Sequence, residues 1–163
     1  MPQVWASIGS NQHREISIRG AIRSLKRRYG ALQISPIYES EAEGFQGDPF
    51  LNLVVGFRTE ATIPELLAAF RAIETQCGRV RTESKFAPRT LDLDLLTYGD
   101  FVGTEAGYSF PREEILQYAF VLRPLADVAP AETHPSTGRT YLQLWQTLAP
   151  TAPPLIPVSI PLD

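Results

Sequence analysis

Two aspartates, Asp92 and Asp94, are separated by a single leucine in an otherwise apolar stretch, residues 91–96. On a β-strand, residues two apart point to the same face, so the two carboxylates would lie side by side while Leu93 faces the core. Neighbouring carboxylates raise each other's pKa unless a cation lies between them. Mg²⁺ is commonly bound by one or two carboxylates together with substrate phosphates. The spacing therefore indicates a Mg²⁺ site, and the alternative is a solvated strand face that binds nothing.

A basic segment immediately precedes this pair. Four cationic side chains fall within eleven residues, with Glu83 as the only acid among them: Arg79, Arg81, Lys85 and Arg89. Guanidinium groups match the geometry of phosphate oxygens. Phosphoryl transfer needs cations on the developing charge and a metal that bridges the phosphates, so a basic segment joined to paired carboxylates favours that chemistry. The alternative for the basic segment alone is a solvated run of charge.

The carboxylate pair needs a strand to carry it, and the apolar spacing predicts an α+β fold. The predicted elements are strands at 4–8, 31–38, 50–59 and 90–98, a helix at 14–29, and a helix from the capping box of Thr62 and Glu65 to Gly78. Pro36 indicates that the strand at 31–38 lies at an edge or carries a bulge. Their order, β-α-β-β-α-β, is that of a ferredoxin-like antiparallel sheet with two helices on one face. Additional C-terminal helices are predicted within residues 112–148.

Composition limits the class of protein. The 163 residues fit one domain, which we expect to span residues 1–148, with a proline-rich and extended tail at 149–163. The net charge of −3 argues against nucleic acid as a partner. The single cysteine, Cys77, excludes an internal disulfide and a zinc site built from clustered cysteines. No apolar run approaches the roughly 20 residues of a membrane helix, and no signal peptide is visible, so we expect a cytoplasmic protein.

The string from Pro88 to Asp94, together with residues 78–81, resembles the signature of the 6-hydroxymethyl-7,8-dihydropterin pyrophosphokinase family. The resemblance continues at residues 8–11, 50–52 and 120–125, and covers about residues 4–148 in order and spacing. It implies a ferredoxin-like enzyme of folate biosynthesis. Such an enzyme transfers pyrophosphate from ATP to the hydroxymethyl group of the pterin and releases AMP.

The resemblance also implies roles for individual residues. Asp92 and Asp94 would bind two Mg²⁺ ions, and Arg79 and Arg89 would be the catalytic arginines. The positions that match pterin contacts are Ser40, Phe50, Asn52 and Phe120. The positions that match ATP contacts are Glu74, Arg81, Lys85, Leu95 and Arg112. The implied partners are these small molecules alone, with no nucleic acid and no membrane, and we expect a monomer.

Several residues have alternative interpretations from the sequence alone. Phe50 and Phe120 could be ordinary core residues, and Glu74 could be an exposed helix residue beside the apolar stripe. His13 and His134 match nothing catalytic, and we expect both at the surface.

The sequence departs from the family pattern mainly on the side that matches the nucleotide. Arg71 replaces a frequent glutamine, Gly107 a basic residue, Arg112 a histidine and Tyr118 an arginine, while Lys85-Phe86 replaces an Arg-Trp pair. Residues 41–43 are Glu-Ala-Glu where the family favours prolines. The alternative function is therefore a paralogue that binds pterin or nucleotide with weak or no activity. A ferredoxin-like RNA-binding module is disfavoured by the net charge of −3 and by the acidic strand.

Overall fold

The computed structural model describes residues 1–40, 49–78 and 91–162. The strands are β1 (Gln3–Ser10), β2 (Gln33–Ile34), β3 (Ile37–Ser40), β4 (Phe50–Arg58), β5 (Asp92–Tyr98), β6 (Gly103–Glu105), β7 (Tyr108–Phe110) and β8 (Ile156–Val158). The helices are α1 (Arg14–Tyr29), α2 (Ile63–Gly78), α3 (Glu114–Gln117), α4 (Ala119–Val128) and α5 (Tyr141–Leu148), and a short 3₁₀ turn follows α5. None of the helices in these described ranges is long and apolar enough to cross a membrane.

A six-stranded antiparallel sheet forms the centre of the molecule, and this confirms the predicted α+β class. The strand order is β5-β1-β4-β3-β8, with β2 also paired to β4, and β6 and β7 form a separate hairpin. The predicted strand at 31–38 is interrupted at Ser35 and Pro36, so that β2 and β3 are two short strands. The Ser35 hydroxyl oxygen accepts the Val54 N–H at 2.8 Å and thereby holds the interruption against β4.

The two faces of the sheet bury different sets of residues because side chains alternate along each strand. On β1, Val4, Ala6 and Ile8 belong to the main core, which α1 and α2 complete. The opposite face presents Trp5 to a second apolar cluster formed with α3, α4 and α5. The two helices of the predicted βαββαβ unit thus share one face, and the additional C-terminal helices cover part of the other.

Both of the first two helices begin and end at the predicted residues. α1 runs from Arg14 to Tyr29, as the apolar spacing indicates. At the start of α2, the Thr62 N–H donates to Glu65 Oε1 at 3.0 Å, and the Glu65 N–H donates to Thr62 Oγ1 at 3.3 Å. This reciprocal pair is the predicted capping box.

The proline-rich C-terminal residues contribute β8, a strand that the sequence analysis did not predict. It pairs with β3 in the register Ile37 with Val158 and Tyr38 with Pro157. Proline is tolerated at a sheet edge because the missing N–H then costs no ladder bond. The extended chain predicted for this segment is therefore partly recruited into the sheet.

The prediction that His134 lies at the surface is wrong, whereas His13 is exposed as expected. His134 is 2% exposed, and its Nδ1 accepts the N–H groups of Ser136 and Thr137 at 3.2 and 3.1 Å. Burial lowers the pKa of this imidazole. The histidine thus stabilises a turn before α5. The residues around it in the sequence give no indication that the ring is buried.

Gly56 is predicted to be essential for close packing on β4. It pairs with Trp5, and a Cβ at this position would lie 2.2 Å from Cζ3 of the indole. Gly56→Ala should therefore lower the free energy of unfolding by about 1–3 kcal/mol, the usual cost of overpacking. Chemical denaturation of the two proteins measures the difference.

Trp5→Phe provides the matched background because it removes the outer indole ring that the new methyl group would meet. In the Trp5→Phe background, Gly56→Ala should lower the free energy of unfolding by less than it does in the wild type. An equal loss in the two backgrounds would contradict the packing explanation.

Candidate active site

A pocket lined by aromatic and polar side chains, here called the aromatic pocket, occupies the part of the second sheet face that the C-terminal helices leave uncovered. Along β4, Val54 lies beneath those helices, whereas Asn52, two residues earlier on the same face, lines the pocket. The pocket has a volume of about 290 Å³, close to the lower limit of about 300 Å³ for ligand pockets. It brings together six of the residues singled out from the sequence: Ser40, Phe50, Asn52, Asp92, Asp94 and Phe120.

Asp92 and Asp94 point to the same face of β5, as their spacing predicts. They pair with Gly9 and Ser7 of β1, while Leu93 between them is buried in the main core. Burial in the cleft raises the pKa of Asp94 to about 6. The positive charge of Arg112 opposes this shift, whereas repulsion from Asp92 adds to it. The pair is thus an electrostatically unfavourable arrangement that a cation would relieve.

The donor set fits Mg²⁺. Among the residues that the structure describes, no group of three or more His, Cys, Asp or Glu side chains is placed to bind a metal. Two oxygen-donating carboxylates beside an open pocket are what Mg²⁺ uses when water and substrate phosphates complete its octahedron. Asp92 and Asp94 are therefore the residues that could bind the ion.

Asn52 and Ser40 form the polar floor of the pocket. The Asn52 Nδ2 donates to Ser40 Oγ at 2.8 Å, and both side chains are buried. This bond fixes the amide, whose Oδ1 lies above the backbone of Gly9. A Cβ on Gly9 would be 3.1 Å from that oxygen, so glycine is the residue that leaves the amide in place.

Aromatic rings form the sides of the pocket. Phe50 and Phe120 are half-buried, so neither is the ordinary core residue that the sequence left as an alternative. The Phe120 ring stacks on Tyr118, with 5.0 Å between ring centroids and 23° between planes. Tyr118 also lines the pocket, although its position in the family pattern assigned it to the nucleotide side.

Glu74 is buried, which excludes the alternative of an exposed helix residue. Its Oε2 accepts the Leu93 N–H at 2.9 Å. Because β5 is the edge strand, this N–H points away from the sheet, and a carboxylate is a strong acceptor for it. Glu74 thus fixes the backbone between the two aspartates, a contact that depends on how α2 packs beside β5.

A smaller cleft of about 50 Å³ lies on the other side of Asp94, so that this carboxylate lines both spaces. Three of the residues matched to ATP contacts surround it, namely Glu74, Leu95 and Arg112. The cleft is otherwise lined by residues of α2, among them Arg71, by Leu93 of β5 and by Tyr108.

Two arginines that depart from the family pattern are linked through Tyr108. The Arg112 guanidinium lies 4.7 Å from the ring centroid, and Arg71 donates to the phenol oxygen at 2.8 Å. Arg112 also pairs with Glu114 at 2.5 Å. The substitutions at residues 71 and 112 therefore form one connected arrangement. Gly107, by contrast, is an exposed residue of the turn between β6 and β7, with φ of 86°.

Some sequence predictions concern residues outside the described ranges. They are Arg79, Arg81, Lys85, Phe86, Arg89 and the acidic string at 41–43. Conversely, the structure adds Ser7, Tyr108 and Tyr118 to the two spaces. The alternation of β1 could have indicated Ser7, which lies two residues before Gly9, but no local pattern brings the two tyrosines to the site.

Comparison with known proteins agrees with this geometry. Residues 5–130 match the family model of 7,8-dihydro-6-hydroxymethylpterin-pyrophosphokinase. The 2-amino-4-hydroxy-6-hydroxymethyldihydropteridine pyrophosphokinase of Synechocystis sp. is 38% identical over 138 residues, which cover 83% of this chain and 70% of that protein. The protein of the same name from Pseudomonas aeruginosa is 37% identical over 133 residues, covering 78% of this chain and 81% of its own length.

Solved structures share the fold at lower identity. The Plasmodium falciparum HPPK-DHPS chain crystallised with pteroate superposes with a TM-score of 0.72 at 13% identity, covering 90% of this chain and 42% of that one. This likeness supports the fold alone, and the present chain spans less than half of that longer protein. The family match and the bacterial relatives carry the assignment: the chain belongs to the 7,8-dihydro-6-hydroxymethylpterin-pyrophosphokinase family.

Proposed function

We propose that this protein transfers the pyrophosphoryl group of ATP to the hydroxymethyl group of 6-hydroxymethyl-7,8-dihydropterin. One observation carries the proposal: Asp94 lines both the aromatic pocket and the smaller cleft, which Arg71 and Arg112 also line. A flat heterocycle in the pocket and a phosphate chain in the cleft would therefore meet at the paired carboxylates. The family assignment supports the same reaction.

The aromatic pocket suits a pterin. Phe50 and Phe120 can hold a flat ring by offset stacking. Asn52, fixed by its bond to Ser40, can hydrogen-bond the polar edge of the ring. Asp92 and Asp94 line the same pocket, so the hydroxymethyl group of a ring bound there could reach the carboxylates.

In the reaction, the pterin hydroxyl oxygen would bond to the β-phosphorus of ATP, and the bond from that phosphorus to the oxygen bridging it to the α-phosphorus would break. AMP would leave with that oxygen, and the hydroxyl proton would be released. Asp92 and Asp94 would bind Mg²⁺, which supplies positive charge to the phosphates. Arg112 would add a permanent cation beside Asp94.

The arginines Arg79 and Arg89 would stabilise the charge that develops on the transferred group, and Arg81 and Lys85 would contact ATP. These roles rest on the resemblance, since the four residues lie outside the described ranges.

The first prediction tests the reaction itself. The wild type should release AMP from ATP only when Mg²⁺ and 6-hydroxymethyl-7,8-dihydropterin are both present. Asp94→Asn should lower kcat/KM by about 10³-fold or more, because a bound metal supplies several kcal/mol of transition-state stabilisation. Quantifying AMP by chromatography measures both effects.

Asp100→Asn is the matched control, since Asp100 is an exposed aspartate in the turn after β5. It should leave turnover unchanged. Binding of pterin and ATP without any pterin-dependent AMP would instead establish the alternative, a binding paralogue without pyrophosphokinase activity.

A second prediction follows from the raised pKa of Asp94, about 6 against an ordinary value of 3.8. Between pH 3.8 and about pH 6, the Asp94 carboxyl keeps its proton in the folded chain and releases it in the unfolded chain. Stability from this group is therefore present at low pH and is lost as the pH rises through about 6. Asp94→Asn removes the unfavourable charge, so without Mg²⁺ its thermal midpoint should exceed that of the wild type at about pH 7.5. Because the Asp94 side chain is partly exposed, we expect the substitution to raise the free energy of unfolding by at most about 1 kcal/mol.

The difference in midpoint between Asp94→Asn and the wild type should shrink at about pH 5, where the wild-type carboxyl is protonated. Asp100→Asn should show no such pH-dependent gain. A midpoint for Asp94→Asn well below that of the wild type at neutral pH would mean that this aspartate stabilises the fold.

A third prediction concerns Arg112. Arg112→Ala should weaken binding of Mg²⁺ with α,β-methylene-ATP by about 10- to 150-fold, the effect of losing a charge-assisted contact of about 1.5–3 kcal/mol. Binding of 6-hydroxymethylpterin should stay within twofold. Calorimetry of each ligand separates the two effects, with the exposed Arg139→Ala as the control.

Arg112→His extends this test to pH. Imidazole loses its charge around a pKa of about 6.5, so nucleotide affinity of this variant should fall between about pH 6 and pH 8. In the wild type, the contribution of Arg112 to nucleotide affinity should not change with pH over that interval. If Arg112→Ala binds the nucleotide as tightly as the wild type does, Arg112 is not a phosphate contact.

A further inference from the structure

Tyr118 is fixed by the backbone on both of its sides. It lies between α3 and α4 in an extended conformation, with φ of −117° and ψ of 123°. Its N–H donates to the Glu114 carbonyl at 3.0 Å, and its carbonyl accepts the N–H groups of Val121 and Leu122 at 3.1 and 3.0 Å. The end of one helix and the start of the next therefore set the direction in which the side chain leaves the backbone, and it lines the aromatic pocket.

The Tyr118 ring stacks on the Phe120 ring. The centroids are 5.0 Å apart and the planes are inclined by 23°, the offset-stacked geometry that aromatic pairs prefer. Phe120 is itself half-buried in the first turn of α4 and lines the same pocket. Tyr118 thus packs against one face of the Phe120 ring and restricts its rotation.

The chemistry of Tyr118 favours contact with a ring over contact with a phosphate. Its side chain has no guanidinium or ammonium group to pair with a phosphate, and its hydroxyl makes no hydrogen bond to any residue within the described ranges. Its ring stacks on Phe120 and packs against the second apolar cluster. A role that depends on the aromatic ring is consistent with both facts.

We propose that Tyr118 is a positioning residue for the pterin: it holds the Phe120 ring in the orientation that stacks on the heterocycle. The inference rests on the proposed function and assigns Tyr118 to the pterin side of the site. Because an ordered ring loses less rotational freedom when the ligand binds, preorganisation of Phe120 should increase pterin affinity. The hydroxyl group has no part in this role.

The test is a fluorescence titration with 6-hydroxymethylpterin in the presence of Mg²⁺ and α,β-methylene-ATP. Tyr118→Ala should weaken pterin binding by about 2- to 12-fold, the value of one aromatic pair. Tyr118→Phe keeps the ring and should bind the pterin within twofold of the wild type. Calorimetry with the nucleotide analogue alone should give equal affinities for all three proteins.

A double-mutant cycle distinguishes positioning from direct contact. If Tyr118 acts through Phe120, Tyr118→Ala should have no further effect on pterin affinity in a Phe120→Ala background. Tyr118→Leu, which retains bulk without a stacking ring, should resemble Tyr118→Ala, and it serves as the second variant if thermal unfolding shows that the alanine protein is not folded.

Three results would overturn the inference while the wild type still binds the pterin: unchanged pterin affinity in both Tyr118→Ala and Tyr118→Leu, a Tyr118→Phe protein as weak as the alanine variant, or an undiminished loss in the Phe120→Ala background. If the wild type binds no pterin at all, the proposed function itself fails, and the inference fails with it.

Discussion

The alternation of side chains along β1, β4 and β5 is the constraint on which the site depends. Each strand must place apolar residues on the α1 and α2 side, since that face packs against these helices in the main core. The opposite face changes character along its length. It is apolar where α4 and α5 cover it, as at Trp5 and Val54, and polar where it stays open, as at Asn52 and Asp94. A shift of one residue in the pairing of β5 would move both aspartates into the core and two leucines into the pocket.

The electrostatics of the open region follow from this placement. Two carboxylates share one strand face, and a third, Glu74, lies behind them on the backbone between them. Within the described ranges, the positive charge of Arg112 lowers the pKa of Asp94, and its guanidinium also contacts Glu114 and the Tyr108 ring. Among these described side chains, Asp92, Glu74 and Glu114 all raise that pKa, so carboxylates outnumber cations around Asp94. Such an arrangement costs stability in the free protein and favours binding of a divalent cation, which is a common compromise at functional sites.

Predictions from the sequence were most accurate where the signal is local. The bounds of α1, the capping box at Thr62 and the shared face of Asp92 and Asp94 each depend on residues a few positions apart, and the structure confirms all three. The fold class followed from the order of such elements. The gathering of Phe50, Asn52 and Phe120 could not be predicted from spacing, because it depends on how α4 packs on the sheet. The resemblance indicated these residues only as members of a family pattern.

Interpretations that needed long-range packing were less successful. The burial of His134 depends on a loop that folds back before α5, and that of Glu74 depends on the exposed edge of β5. The family position of Tyr118 gives no indication that its ring stacks on Phe120. In each case the local sequence is compatible with exposure or with another partner, and only the tertiary arrangement selects one.

The short strand β8 has a consequence for self-association. Without it, β3 would present its backbone N–H and C=O groups along the sheet edge, and an edge of this kind is a template on which another chain can add a strand. β8 occupies that edge with three residues, one of which is Pro157 and therefore has no N–H to donate. The sheet ends there in a strand too short and too poor in donors to be extended well. Pro157 thus disfavours the addition of another chain at this edge of the sheet.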